Sequence, residues 1–174
     1  IKRSQKQKDE YIEDQDNYFM KRAMRNGSVI NKNTWLKKGL DRKNYLGSIK
    51  TDKVIILLNK LKEVDYKYLC FASSIEQAEI LGGKNTVHNE NKNTEVNIEK
   101  FQKGKIRNLT AVNMLQQGMN IEGIEVGVIV QLDGVKRPFI QKFGRTLRAD
   151  YPIQFIFIVE GTKDEDYLIN VVNN

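Results

Sequence analysis

Apolar and polar positions along this chain change period several times, and the changes mark out its elements. Over residues 52–62 the apolar residues Val54, Leu57, Leu58 and Leu61 recur at three- and four-residue spacing, which predicts an amphipathic helix capped by Thr51. Beyond it, short apolar runs at residues 68–72, 86–88, 109–112, 126–132 and 153–159 read as strands. Between and after them, residues 75–81, 94–102, 114–117, 138–147 and 163–172 read as helices. The later strands are apolar at nearly every position, as suits strands covered on both faces. Alternating strand and helix therefore predicts an α/β fold, a three-layer sandwich with a mainly parallel sheet flanked by helices. Ahead of this pattern, residues 9–25 read as a charged helix ended by Asn26-Gly27, and the stretch around Trp35 reads as irregular.

At 174 residues, 40% of them hydrophobic, the chain suits one globular domain. No run approaches eighteen apolar residues and no leader pattern is present, so a cytoplasmic protein without a membrane partner is expected. The first residue is Ile, which suggests a piece of a longer chain. Cys70 is the one cysteine, mid-run among apolar residues, where a buried inert thiol is expected; no Cys/His cluster suggests a metal site. The net charge of +7 lies entirely at the front: residues 1–50 hold 13 Lys/Arg against 6 Asp/Glu, and the rest hold 16 of each. Residues 1–48 thus read as a basic connector or N-terminal extension and 49–174 as the domain proper. Basic residues beside Trp35 suit a phosphate backbone and a stacked base, and equally suit a connector packed on a neighbouring lobe.

The candidate chemistry lies late in the chain, in Gln141-Lys142-Phe143-Gly144-Arg145-Thr146-Leu147-Arg148. Arg145 and Arg148 are spaced to share one helix face, and Gly144 leaves room for close approach. Two guanidinium forks that cannot deprotonate suit the charge that spreads over a γ-phosphate during transfer. Upstream stand Leu109-Thr110-Ala111-Val112-Asn113, then Gln117-Gly118-Met119-Asn120-Ile121, and earlier Tyr68-Leu69-Cys70-Phe71-Ala72-Ser73-Ser74 and Glu99-Lys100-Phe101-Gln102-Lys103-Gly104.

In this order, over about residues 50–160, these segments resemble motifs IV, V and VI of superfamily-two helicases and translocases, in the second of their two RecA-like lobes. The Gln-x-x-Gly-Arg-x-Leu-Arg form is most similar to the DNA-directed groups: excision-repair and phage recombination helicases and the motor subunits of restriction enzymes. The resemblance implies that Arg145 and Arg148 reach ATP held on the other lobe, with Gln141 helping to position them. It places Gly118, Asn120 and Gly144 at the nucleotide side. Asn120 stands where many relatives carry aspartate, Lys142 where many carry arginine and Val112 where many carry threonine, so interlobe coupling and one hydroxyl contact to nucleic acid are in doubt. Ser73, Ser74, His88 and Asn113 fall at strand ends, where open α/β sheets bind ligands, and are the expected nucleic-acid contacts. Capping by the serines and a structural role for His88 are the plain alternatives.

A phosphate cradle is missing. Gly83-Lys84-Asn85 has neither the hydroxyl nor the earlier glycine of a Gly-Lys-Ser/Thr loop and reads as an ordinary loop. Asp164-Glu165-Asp166 does not follow an apolar strand directly, and reads as acidic capping of a helix start. ATP and magnesium are therefore expected in the intact protein and not on this fragment alone. The implied function is the C-terminal lobe of an ATP-dependent DNA helicase or translocase, partnered by DNA and an N-terminal lobe. The alternative is a non-catalytic module that binds nucleic acid or a partner. A dinucleotide enzyme is the weakest choice, since no Gly-x-Gly-x-x-Gly follows a strand.

Overall fold

A computed structural model describes residues 32–112, 122–132 and 150–172, and of residues 32–38 the backbone alone. Helix α1 (Lys32–Ser48) leads into α2 (Thr51–Glu63), after which come β1 (Tyr68–Phe71), α3 (Ile75–Gly82), β2 (Thr86–Val87), α4 (Thr94–Gln102), β3 (Asn108–Ala111), β4 (Val126–Ile129), β5 (Ile153–Ile156) and α5 (Lys163–Val172). The five strands form one sheet in the order β2-β3-β1-β4-β5, every neighbouring pair parallel. In the centre Tyr68 sits opposite both Asn108 and Val126, and Phe71 opposite both Ala111 and Ile129.

Side-chain alternation divides the apolar runs between two cores. Tyr68 and Cys70 of β1, with Val126 and Val128 of β4, join Val54, Leu58 and Leu61 of α2 and Ala78 and Leu81 of α3. On the other face Leu69, Phe71, Leu109 and Ile129 join Phe101 of α4 and Val171 of α5. Because both faces are covered, the central strands need apolar residues at every position, as the sequence suggested. Gly82 brings α3 down onto β3: a Cβ there would lie 2.8 Å from that of Thr110.

Three expectations need correction. The stretch around Trp35 is not irregular, for it belongs to α1. Leu46 of α1 packs with Val159, and Arg42 donates to the Tyr167 hydroxyl at 3.2 Å, so α1 is attached to the body of the fold. Thr51 does not cap α2: Lys50 holds the cap position without a side-chain cap bond, and the Thr51 hydroxyl serves α3 instead. The last strand ends at Ile156, and its outward residues Ile153 and Phe155 are 40% and 36% exposed, because β5 lies at the edge of the sheet. The helices expected at 9–25, 114–117 and 138–147 lie outside the described residues.

The amino ends of the strands carry an open set of charges. Arg107 donates to Glu125 at 2.9 Å and pairs with Asp65 at 3.1 Å, all three side chains at least 40% exposed. Glu125 also accepts from the Lys67 amide at 2.6 Å, tying β1 to β4 at their starts.

Candidate functional site

The described candidate residues stand at the carboxyl ends of two strands, Ser73 and Ser74 after β1 and His88 after β2, with β3 between them. The chain leaves β1 through Ser73 and Ser74. The Ser74 hydroxyl accepts from the Gln77 amide at 3.2 Å, the ordinary N-cap bond that opens α3. Ser73 is held differently: its amide and its hydroxyl both donate to Gln77 Oε1, at 2.9 and 2.8 Å. Gln77 is buried, and its Nε2 donates onward to the Gly47 carbonyl at 2.7 Å and the Thr51 hydroxyl at 3.0 Å. One amide thus ties the end of β1 to the junction of α1 and α2. Gly47 makes that approach possible, since a Cβ there would fall 2.1 Å from Ser73 Oγ. Ser74-Ile75-Glu76-Gln77 has the Ser-x-x-Gln form of a capping box, a signal in the sequence for Gln77, although here the side chain reaches one residue further back.

The same junction is pinned a second time through Lys50, which has no exposed side-chain surface. Its ammonium donates to the Val130 carbonyl at 2.9 Å and Gln131 Oε1 at 2.8 Å, and pairs with Asp164 Oδ2 at 2.6 Å. Gln131 Nε2 donates to Asp164 Oδ1 at 2.6 Å, and the Val159 amide to Asp164 Oδ2 at 3.0 Å. Burial lowers the Lys50 pKa below the usual lysine value, and the Asp164 carboxylate works against that fall. The acidic cluster does stand in the first turn of α5, as its sequence suggested, but one of its members serves this buried pair. Asp164 is fully buried; the N-cap of α5 is Thr162, whose hydroxyl accepts from the Asp164 amide at 3.2 Å, and Glu165 accepts from the Gly161 amide at 3.1 Å.

His88 follows β2 and is buried. Its amide donates to Thr94 Oγ1 at 3.3 Å, its carbonyl accepts from that hydroxyl at 2.8 Å, and Nε2 lies 3.6 Å from Glu79 Oε1. It lines an open groove of about 570 Å³ with Lys84, Asn91 and Lys92. Gly83-Lys84-Asn85 is the loop that its sequence suggested, joining α3 to β2, with the Lys84 carbonyl accepting from Asn97 Nδ2 at 2.8 Å. Cys70 is buried, and burial pushes its thiol up to about 12, which leaves it inert. Six of the 13 basic residues of the front segment fall in 32–50 against the single acid Asp41. Of these, Arg42 and Lys50 are buried, so part of the basic excess holds the fold together. Arg145, Arg148, Gln141, Gly118, Asn120, Gly144 and Asn113 lie outside the described residues. Among the described residues no group of His, Cys, Asp and Glu could hold a metal ion, and no helix is long and apolar enough to cross a membrane.

Residues 32–150 of the 174 match the family model of the helicase conserved C-terminal domain. The chain belongs to that family. Solved structures agree on the fold. The helicase domain of Hef from Pyrococcus furiosus is similar with a TM-score of 0.52 at 21% identity, over 68% of this chain and 27% of that one. Dbp5 of S. cerevisiae, bound to RNA and ADP BeF3, gives 0.61 at 18%, over 71% and 36%. The E. coli DEAD-box protein SrmB gives 0.57 at 17%, over 70% and 77%. This helicase C-terminal domain therefore spans about a third or less of the Hef and Dbp5 chains that it matches. A comparison with curated proteins gives no match. The five-stranded parallel sheet with its flanking helices is the RecA-like α/β sandwich of a helicase C-terminal domain.

Proposed function

We propose that this domain is the second motor lobe of an ATP-dependent DNA helicase or translocase. One observation carries the reading: the family match runs through residues 141–148, so Gln141, Arg145 and Arg148 fall inside a helicase C-terminal domain rather than on an arbitrary basic helix. ATP with magnesium is held by an N-terminal lobe, since this sequence has no Gly-Lys-Ser/Thr loop. Arg145 and Arg148 close on the γ-phosphate and stabilise the charge that develops on it, Gln141 positions them, and Gly118, Asn120 and Gly144 border the nucleotide. DNA as the track is supported by the likeness of Gln-x-x-Gly-Arg-x-Leu-Arg to the DNA-directed groups. Backbone contacts gather at the strand ends, at Ser74, His88 and Asn113. Ser74 is favoured over Ser73, because both donors of Ser73 are already given to Gln77.

In the intact protein, Arg145→Ala or Arg148→Ala is expected to lower kcat for ATP roughly a thousandfold while KM changes little, and lysine is not expected to rescue either. Steady-state ATPase assays check this, and unchanged turnover in both variants rejects the reading. The isolated domain should hydrolyse no ATP. Its binding of single-stranded DNA should be weak and steeply salt-dependent. Fluorescence anisotropy with two unrelated oligonucleotides tests that, and a sequence preference surviving at high salt would favour a non-catalytic binding module. Because α1 packs on the body, truncations that probe the basic front should stop before Lys32.

A further inference from the structure

Gln77 is only 4% exposed, and its side-chain amide faces two ways. On one side Oε1 accepts from the amide and the hydroxyl of Ser73 at 2.9 and 2.8 Å. On the other Nε2 donates to the Gly47 carbonyl and the Thr51 hydroxyl, 30 and 26 residues earlier in the chain. Capping α3 requires none of this. Ser74 alone supplies the cap, through the Gln77 backbone amide, and a capping-box glutamine would turn its side chain to the Ser74 amide rather than past it.

What these bonds decide is which donors the β1–α3 turn presents. Ser73 has both of its donors turned inward to Gln77. Ser74 follows in extended conformation, with φ −142° and ψ 163°, and is half-buried. Its hydroxyl oxygen accepts from α3, and its hydroxyl proton goes to no acceptor among the described residues. Gly47 sets how near the α1–α2 junction comes to this turn: a Cβ there would lie 2.1 Å from Ser73 Oγ and 2.5 Å from Ser73 Cβ. A donor held in place before binding keeps more of its hydrogen-bond energy than one that must be ordered on binding. We infer that Gln77 is a positioning residue for nucleic acid, holding the β1–α3 turn against the α1–α2 junction so that the Ser74 hydroxyl meets the phosphate backbone. This inference rests on the contact between Ser74 and DNA proposed above.

The intact two-lobed protein tests it, by fluorescence anisotropy with a labelled single-stranded oligothymidylate at several salt concentrations. Thermal melts check folding, and ATPase without DNA checks the rest of the motor. Gln77→Met keeps the bulk and removes the amide, and is expected to weaken DNA binding about tenfold at fixed salt. Neither Gln77 nor Ser74 is charged, so the slope of log affinity against log salt should stay that of wild type, with DNA-free turnover changed by less than about twofold. A role that is only structural would lower the melting temperature and leave the affinity of the folded protein alone. Adding Ser74→Ala to Gln77→Met should cost no further affinity, because Gln77 acts through Ser74. Thr51→Val removes one anchor of Gln77 from its far side; it should give a smaller loss of the same kind, and it decides the matter if Gln77→Met does not fold. Wild-type affinity in the folded variant, an altered salt slope, or a loss that adds fully to that of Ser74→Ala overturns the inference. If Ser74→Ala itself binds DNA as wild type does, the proposed Ser74 contact has failed; if Ser74→Ala weakens binding and Gln77→Met does not, only the positioning role has.

Discussion

The two ends of the sheet use the same residue types in opposite ways. At the amino end, Arg107, Asp65 and Glu125 pair in the open, each at least 40% exposed; at the carboxyl end, Lys50 and Asp164 pair with no exposed side-chain surface. Water screens the first set, so its contribution is small whichever partner is removed. The second set has given up hydration, so each charge depends on the other, and removing one leaves its partner stranded. Identical chemistry thus ornaments one end of the fold and fixes the geometry of the other, which is the end where strand termini converge.

The sharpest way to break this contrast is Asp164→Ala. It leaves the Lys50 ammonium buried without its counter-ion and is expected to cost about 3–5 kcal/mol. The melting temperature should fall by roughly 10 °C or more, and a fall of a degree or two would place the pair among the ornamental ones. Gln77→Ala comes next. It removes the acceptor for both Ser73 donors and the donor for Gly47 and Thr51, with an expected loss of about 2–4 kcal/mol in urea unfolding.

Cys70 extends the contrast to a neutral group. Its thiol is raised from 9.0 to about 12 by burial, so the folded state keeps its proton where the unfolded state loses it. The stabilisation is complete below pH 9 and is lost as pH rises towards 12. By pH 10.5 wild type should therefore lose about 2 kcal/mol more than Cys70→Ala does over the same range, measured by denaturant titration. The smallest effect belongs to Arg107→Ala, expected to cost under about 1 kcal/mol. A loss as large as that of Asp164→Ala would erase the distinction between the two ends.

Where the sequence spoke about local pattern, it was readable. The helices at 94–102 and 163–172 have the expected bounds, and the doubly apolar strands foretold a sheet covered on both sides. The order of motif-like segments sufficed for the family. α1 was missed because its apolar residues keep no steady period and Gly39 and Gly47 lower its helix propensity, while its hold on the body comes from distant Val159 and Tyr167. Asp164 stands in a first turn as expected, but its burial and its lysine partner were missed for a related reason. An acidic residue in a first turn looks the same in sequence whether water or a lysine from the far side of the fold satisfies it. Gln77 alone left a trace, in its spacing from Ser74. Gly47 left none, since the close contact that requires a glycine is made by Ser73, on another element.

The strand order has a consequence for how the chain is born. Of the five strands of this sheet β1 is the first to leave the ribosome, yet it lies in the middle, and its neighbours β3 and β4 are made only later. At a synthesis rate of about 5–20 residues per second, β1 waits roughly two to eight seconds before Asn108–Ala111 emerges to pair with it. During that interval Tyr68-Leu69-Cys70-Phe71 is an apolar segment with both edges unpaired, shielded only by what α2 and α3 can cover. Nascent-chain quality control would therefore meet this protein chiefly at its centre, and substitutions that weaken the packing of α2 on β1 should lower yield in cells more than they lower the stability of the finished fold.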